Sequence, residues 1–366
     1  MQALHSRALT VFALLAASLS CGAQQPAPIR NVVLVMTDGM RWQEVFHGAD
    51  EALLTPQNYY DKREVTALKQ QFLAATPEER RSKLMPFFWS HFGTTGLIFG
   101  NPDVNSIATV TNGKNFSYPG YSETLTGHPD PRIDSNDDKP NPNQTVLAWL
   151  NHTPRYKGTV AAFAAWHVIA NAVNADKCEC VDNAAYDPLH ITPMPASIEL
   201  LNNLKRDSPR YWDDESFDAP TAYTAFEYVK AKKPHVLYLS LGETDDWAHA
   251  GNYGEYLLSA HRVDQYLQQL WTLLQSMPEY RGTTALIFTT DHGRGAVGDA
   301  WQKHGEKIPE AKNIFIAVSA PGLKGSGMQQ NVQPVTQSQI AATLARFLGE
   351  DWQKAEPKAG APLPLK

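Results

Sequence analysis

The chain has 366 residues, 43% of them hydrophobic and 19% charged, with 12 His and 3 Cys. That much apolar material can bury a sizeable core, as one large unit or two small ones, and it excludes general disorder. The formal charge of −6, with no clustered basic residues, excludes nucleic-acid packaging or regulation, which needs a basic stripe; a nucleotide as substrate stays open.

In chain order, residues 1–23 read as a secretory signal. A short n-region with Arg7 precedes an apolar h-region over 8–19, and Cys21-Gly22-Ala23 supplies small residues before a cut. The apolar run is too short to span a bilayer, so the mature chain is expected to have no membrane segment and to be secreted or periplasmic. Attachment as a lipoprotein at Cys21 is the weaker reading, because residues 18–20 match a lipobox poorly. The remaining cysteines, Cys178 and Cys180, stand in an exported chain and fit a local disulfide or a spare thiol pair better than a metal site, since two thiolates leave a zinc short of ligands.

Short Val/Ile/Leu/Phe runs at 31–37, 96–100, 159–164, 235–241, 283–290 and 313–319 predict buried strands. Amphipathic stretches at 67–75, 122–126, 145–151, 221–231, 253–277 and 338–348 predict helices between them. This alternation argues for an α/β layered fold, read as a single unit over 24–366 with loop or cap insertions near 129–142 and 207–220.

Ligands of open α/β sheets bind at the carboxyl ends of strands. Here the first strand runs into Asp38-Gly39, the 235–241 strand into Gly242-Glu243-Thr244-Asp245-Asp246-Trp247-Ala248-His249, and the 283–290 strand into Asp291-His292-Gly293. One such Asp is ordinarily a cap or turn former. Three carboxylate-bearing ends, two of them with imidazoles, repel one another unless a cation neutralises them, and Asp with His is a ligand set for catalytic divalent metals. Spacing pairs His249 with either Asp245 or Asp246. His304, in Trp301-Gln302-Lys303-His304-Gly305, reads alone as a surface histidine. Ser117 precedes a Pro-Gly turn near a helix start, where Ser122 makes the better N-cap.

Taken in order, these segments resemble the alkaline phosphatase superfamily, and in particular its nucleotide pyrophosphatase/phosphodiesterase-like branch. The resemblance runs from Asn31 to about Leu348. It rests on Val35-Met36-Thr37-Asp38-Gly39, on Ser117-Tyr118-Pro119 through Leu125-Thr126-Gly127, on Asp245 with His249, on Thr290-Asp291-His292-Gly293, on His304-Gly305, and on the closing Gln339-Ile340-Ala341-Ala342-Thr343-Leu344. Each motif is weak alone; their order makes the set specific.

The resemblance implies an α/β/α sandwich around a largely parallel sheet and two divalent metal ions. Zn2+ is the default for such ligands, with Mn2+ or Mg2+ able to serve the Asp-rich site. One ion would be held by Asp245, His249 and His304, the other by Asp38, Asp291, His292 and the Ser117 oxygen. It selects Asp245 over Asp246 and Ser117 over Ser122. It also implies that Ser117 attacks phosphorus of a small-molecule phosphate ester to form a phosphoserine, which water then hydrolyses. Asn136, nine residues after Gly127, resembles in position the family Asn that contacts a phosphoryl oxygen.

Departures narrow the reading. Sulfatases of the superfamily carry Cys or Ser followed by x-Pro-x-Arg, converted to formylglycine, whereas Tyr121 stands here where that Arg would be, which disfavours a sulfatase. The interval from Ser117 to Asp245 is too short for the inserted domain of a phosphoglycerate mutase. A phosphotransferase of the same superfamily, or a non-catalytic homologue that binds a metal or an anion, would carry the same framework. None of the seven ligands is missing, which weighs against the non-catalytic form. Monoester against diester stays open, because Lys114, Arg41, Arg294 and Lys303 lie near the motifs in sequence but nothing in the sequence places them. Trp166 and His167 follow the 159–164 strand and are candidates for lining the pocket, with core packing the competing role for Trp166.

Overall fold

β1, Asn31–Thr37, is a seven-residue run in which every residue is buried, as a strand covered on both faces must be. The computed structural model describes residues 28–59 and 64–365. The expected signal at 1–23, with Cys21, lies outside them. No helix among the described residues is long and apolar enough to cross a membrane.

The other strands are β2 (Leu97–Phe99), β3 (Ala108–Thr109), β4 (Val160–Ala164), β5 (Val181–Ala184), β6 (Val236–Leu241), β7 (Thr284–Thr290), β8 (Ile316–Ser319), β9 (Gly327–Met328) and β10 (Val335–Thr336). Eight of them form one sheet in the order β5-β4-β6-β1-β7-β8-β2-β9, while β3 and β10 pair separately. The sheet is parallel except where β8 runs antiparallel to β7 and β2.

Side chains of β1 alternate between two cores. Val33 and Val35 join Phe88, Phe226 and Leu257 on one face, and Val32, Leu34 and Met36 join Leu125, Leu147 and Leu344 on the other. Helices therefore cover both faces, giving the expected α/β/α sandwich.

The six expected strands all form, with trimmed ends. β8 starts three residues late because the Ile314 N–H donates to Ala108 O and Asn313 bridges Thr109, so these residues pair with β3 instead. β5 was not expected: Val-Asp-Asn-Ala lacks an apolar run, and it is an edge strand whose register comes from β4. Immediately before it, Cys178 and Cys180 form a disulfide.

The helix expected at 122–126 begins five residues earlier, spanning Ser117–Thr126. Pro119 lies in its first turn, where the missing N–H costs nothing. Ser122 is consequently inside the helix rather than its cap, and its Oγ accepts from Asn141 Nδ2 at 3.0 Å. The helix Ala196–Asp207 was not expected; it buries Ile198 in the core but exposes Leu200 and Leu204 and buries Lys205, whose Nζ donates to Asn183 Oδ1 at 2.8 Å, so its apolar face is interrupted. Between it and the helix Asp218–Lys232 runs an irregular segment, 208–217.

One buried acid ties two helices together. Asp264, in the helix Tyr253–Ser276, accepts the Phe87 and Phe88 N–H groups at 2.8 and 2.7 Å, satisfying the start of the helix Pro86–Thr95. Burial outweighs these hydrogen bonds and raises its carboxyl to about 7. The folded state thus holds a proton that the unfolded chain releases near pH 4, so this stabilisation is complete below pH 4 and lost as pH rises through 7. Asp264→Asn is expected to be less stable than the parent at pH 5 and to close most of that gap at pH 8. Between pH 5 and pH 8 the gap should change by roughly 3 kcal/mol, about two pH units' worth, the rest having been lost between pH 4 and 5. Urea unfolding at both pH values reads it, and an equal gap at the two would refute the assignment.

Candidate active site

The parallel register fixes where the chemistry lies. Thr37, the last residue of β1, is level with Leu241 of β6 and Thr290 of β7. The residues that follow, Asp38, the helix Glu243–His249 and Asp291-His292, therefore emerge side by side at the carboxyl edge of the three central strands.

Asp38, Asp291 and His292 offer ligand atoms within 4.8 Å of one another, as do Asp245, His292 and His304. His292 Nε2 lies 3.3 Å from Asp38 Oδ1, 3.4 Å from Asp291 Oδ2 and 3.8 Å from Asp245 Oδ1. His304 Nε2 is 3.8 Å from Asp245 Oδ1, and its ring stacks on His292 at 4.1 Å. His249, half exposed at the rim, puts Nε2 3.0 Å from Asp245 Oδ2 and 2.9 Å from His304 Nε2. His292 stands between the two groups instead of belonging to one.

Asp245 and not Asp246 turns inward. They occupy adjacent positions on one helix, and the i,i+4 relation stacks Asp245 on His249. Asp246 keeps a buried Oδ2 without a partner, and burial followed by the nearby Asp245 raises its carboxyl to about 9.

Ser117 Oγ is 3.4 Å from both Asp38 Oδ1 and His292 Nε2, at the first residue of its helix. The helix approaches Asp291 closely because Gly120 has no side chain: a Cβ there would collide with the Asp291 carbonyl oxygen. Gly39 has φ +58, and a Cβ on it would collide with Asp245 Oδ1. Asn136, from the 129–142 loop, comes to the same place; its Oδ1 accepts the Tyr118 N–H at 2.9 Å.

The electrostatics favour cations. Burial, then repulsion from Asp245, pushes Asp38 well above the carboxylate range, and burial, then Asp38, does the same to Asp291. Burial opposes ionisation of Asp245 too, but Arg294 and then His249 outweigh it and hold that carboxyl well below its usual range. Burial, with His292 beside it, keeps the His304 imidazole neutral far below its usual value. Asp291 Oδ2 is buried without a hydrogen-bond partner. Three converging carboxylates, imidazole nitrogens and an orphaned carboxylate oxygen are a donor set that fits divalent ions.

Several residues around the site were not assigned from sequence. Arg294, fully buried, donates to Asp245 Oδ1, to Gly39 O at 3.0 Å and to Gln302 O at 2.8 Å. Its signal was present, an Arg next to a strand-end Gly, but its direction was not. Tyr121, at the position noted for lacking Arg, donates its hydroxyl to Asp38 Oδ2 at 3.0 Å. The other nearby cations are engaged or outside: Arg41 with Glu44 at 2.8 Å, Lys114 with Glu306 at 2.5 Å, and Lys303 exposed. Trp166 is partly buried against the core, with Nε1 on Asp214 Oδ2 at 3.0 Å, and His167 is half exposed, 3.6 Å from Asp138.

The sulfatase family model matches residues 30–350. The chain belongs to the sulfatase family. With it comes membership of the alkaline phosphatase superfamily, a group of enzymes that includes phosphoester hydrolases and sulfatases. Solved structures share the fold at low identity. The alkaline phosphatase PafA aligns with a TM-score of 0.58 at 10% identity, covering 92% of this chain and 98% of that one. A 2-O GAG sulfatase aligns at 0.53 and 13%, covering 92% and 73%, and the lipoteichoic acid synthase LtaP from Listeria monocytogenes at 0.52 and 12%, covering 88% and 72%. No curated protein matches this sulfatase-family chain in sequence. Family membership weighs toward the sulfate esters that the motif reading disfavoured, and the nucleotide pyrophosphatase-like branch is not singled out.

Proposed function

We propose that this chain is an exported hydrolase of phosphate esters that works through a phosphoserine on Ser117. The observation that carries the reading is the Ser117 hydroxyl opening a buried helix 3.4 Å from both Asp38 Oδ1 and His292 Nε2. Asp38, Asp291, His292 and the Ser117 oxygen would hold one divalent ion, and Asp245, His249 and His304 the other. Such ions, when bound, supply the positive charge that favours the serine alkoxide and the transferring group.

The chain's own groups do the rest. The helix start places the Ser117 hydroxyl at the positive end of the helix dipole, where an anionic ester is favoured, while the Tyr118 N–H is spent on Asn136 Oδ1. Asp38 Oδ1 is the acceptor within reach of the serine proton. Asn136, its Oδ1 occupied by Tyr118, has Nδ2 to offer a phosphoryl oxygen. Attack by Oγ forms the Ser–O–P bond as the leaving oxygen departs, and water then attacks the same phosphorus to release Ser117.

Sulfate esters are the second reading, favoured by the family match. Against them stands Tyr121, whose hydroxyl binds Asp38 where the sulfatase motif has Arg. Rates with p-nitrophenyl phosphate, bis-p-nitrophenyl phosphate and p-nitrophenyl sulfate, with and without a chelator, decide. Chelator-sensitive turnover with a phosphate ester preferred is the expected result. Chelator-insensitive turnover, or sulfate preferred over both phosphates, would overturn it.

A further inference from the structure

Glu123 lies two turns along the helix that Ser117 opens, and it is completely buried. No cation pairs with it among the described residues. Its carboxylate is met by five donors: the Thr111 N–H, the Thr111 hydroxyl at 2.7 Å, the Asn112 N–H at 3.0 Å, Asn112 Nδ2 at 2.9 Å and the Ser338 hydroxyl at 2.6 Å. A buried carboxylate saturated by polar donors is costly to disturb, because removing its charge leaves those donors without partners.

Each donor segment leads to a different corner of the site. Asn112 Oδ1 accepts from the Lys114 and Asn115 N–H groups at 2.8 and 3.0 Å, shaping the turn that ends at Ser117. Asn115 stands there in the left-handed region, φ 55, and its carbonyl accepts the Gly305 N–H at 2.8 Å, directly after His304. On the other side Ser338 follows Gln337, which is fully buried and donates Nε2 to Asp291 O at 2.8 Å and Thr290 O at 3.2 Å. One carboxylate thus braces the approach to Ser117, the backbone behind His304 and the backbone behind Asp291, three segments nearly 230 residues apart in sequence at their extremes.

We infer that Glu123 is a positioning residue that sets the separation between the Ser117 oxygen and the His304 side of the metal centre. The assignment rests on the metal and nucleophile reading above. It acts through backbone held by Asn112 and Ser338 and touches neither substrate nor ligand atoms. Groups that orient ligands from behind in this way change metal affinity or activity by about 10–100-fold when removed.

The test uses the full chain with Glu123→Gln and, because that core variant can fail to fold, Asn112→Ala at a partly exposed loop position. Zn2+ affinities are read by competition with a chromophoric chelator, and kcat and KM with the three p-nitrophenyl esters, all referred to folded protein by circular dichroism. Asn112→Ala is expected to bind one Zn2+ as tightly as the parent and the second about tenfold more weakly. Its kcat should fall about tenfold with KM within about twofold. Glu123→Gln, where folded, should show the same pattern more strongly.

A purely structural role would lower the melting temperature and leave these constants, per folded molecule, unchanged. Both Zn2+ affinities and kcat within about twofold of the parent in Asn112→Ala would overturn the role of Glu123 alone. A parent chain that binds no Zn2+ would instead overturn the metal-site reading beneath it.

Discussion

Ser117→Ala is expected to cut ester hydrolysis by about 10⁴-fold or more while leaving Zn2+ binding and the fold in place. The serine hydroxyl makes only two long contacts, 3.4 Å to Asp38 Oδ1 and 3.4 Å to His292 Nε2, so its loss should cost less than about 1 kcal/mol of stability. Alanine also suits a helix start that is already buried against Asp291. The six Asp and His donors keep the strand ends, helix and loop that place them. Activity should therefore separate from metal content: turnover vanishes and the bound Zn2+ remains. Single-turnover assays that trap a phosphorylated protein with the parent, and none with the variant, would locate the covalent step. A variant retaining turnover near that of the parent would sink the nucleophile assignment.

Arg294→Met is the substitution expected to cost the most stability. Arg294 is fully buried, pairs with Asp245 Oδ1, and spans the carbonyls of Gly39 and Gln302. Removing one member of a buried ion pair leaves an uncompensated charge, a penalty of roughly 3–5 kcal/mol, and here two carbonyls also lose their donor. Methionine fills similar space, so the loss reads as charge and hydrogen bonding more than cavity. A bound divalent ion gives Asp245 another positive partner, so Zn2+ should return a larger part of the stability to the variant than to the parent. Arg294→Lys should fall between them, since a compact ammonium keeps the charge but cannot reproduce the planar, widely spaced N–H groups that reach Gly39 O, Gln302 O and Asp245 from three different nitrogens. Thermal or urea unfolding with and without Zn2+ measures all three chains. A loss below about 1 kcal/mol, with a Zn2+ response equal to that of the parent, would show that Arg294 does not hold Asp245.

Both expectations depend on residues whose legibility in the sequence differs sharply. Asp38, Asp291 and His292 were readable because short, β-branched apolar runs such as Val32–Met36 closed by a nearby Gly favour buried strands, and a carboxylate immediately after such a strand lies at its carboxyl end. The choice of Asp245 over Asp246 was not readable from spacing, since both pair with His249 on a helix. The choice follows from the side of the helix Glu243–His249 that faces β1, which the sheet order decides. Helix Ala196–Asp207 was hidden because two exposed leucines and a buried Lys205 interrupt the usual pattern. The early start at Ser117 was hidden because a proline two residues on reads as a turn until the first-turn exemption is applied.

The sequence by itself determined an acidic, apolar α/β chain with carboxylates and imidazoles delivered at three strand ends, because local periodicity and strand-end position are properties of short segments. The tertiary structure alone decided which of these groups meet. Strand β1 lies between β6 and β7 in the sheet though some two hundred residues of chain or more separate it from either, and their level ends bring Asp245, Asp38 and Asp291 together. It also decided what surrounds them: Arg294 turned onto Asp245, Tyr121 onto Asp38, and Glu123 holding the loops behind. Those are contacts between distant segments, set by packing and by the cost of leaving buried polar groups unpaired, and no local pattern carries them.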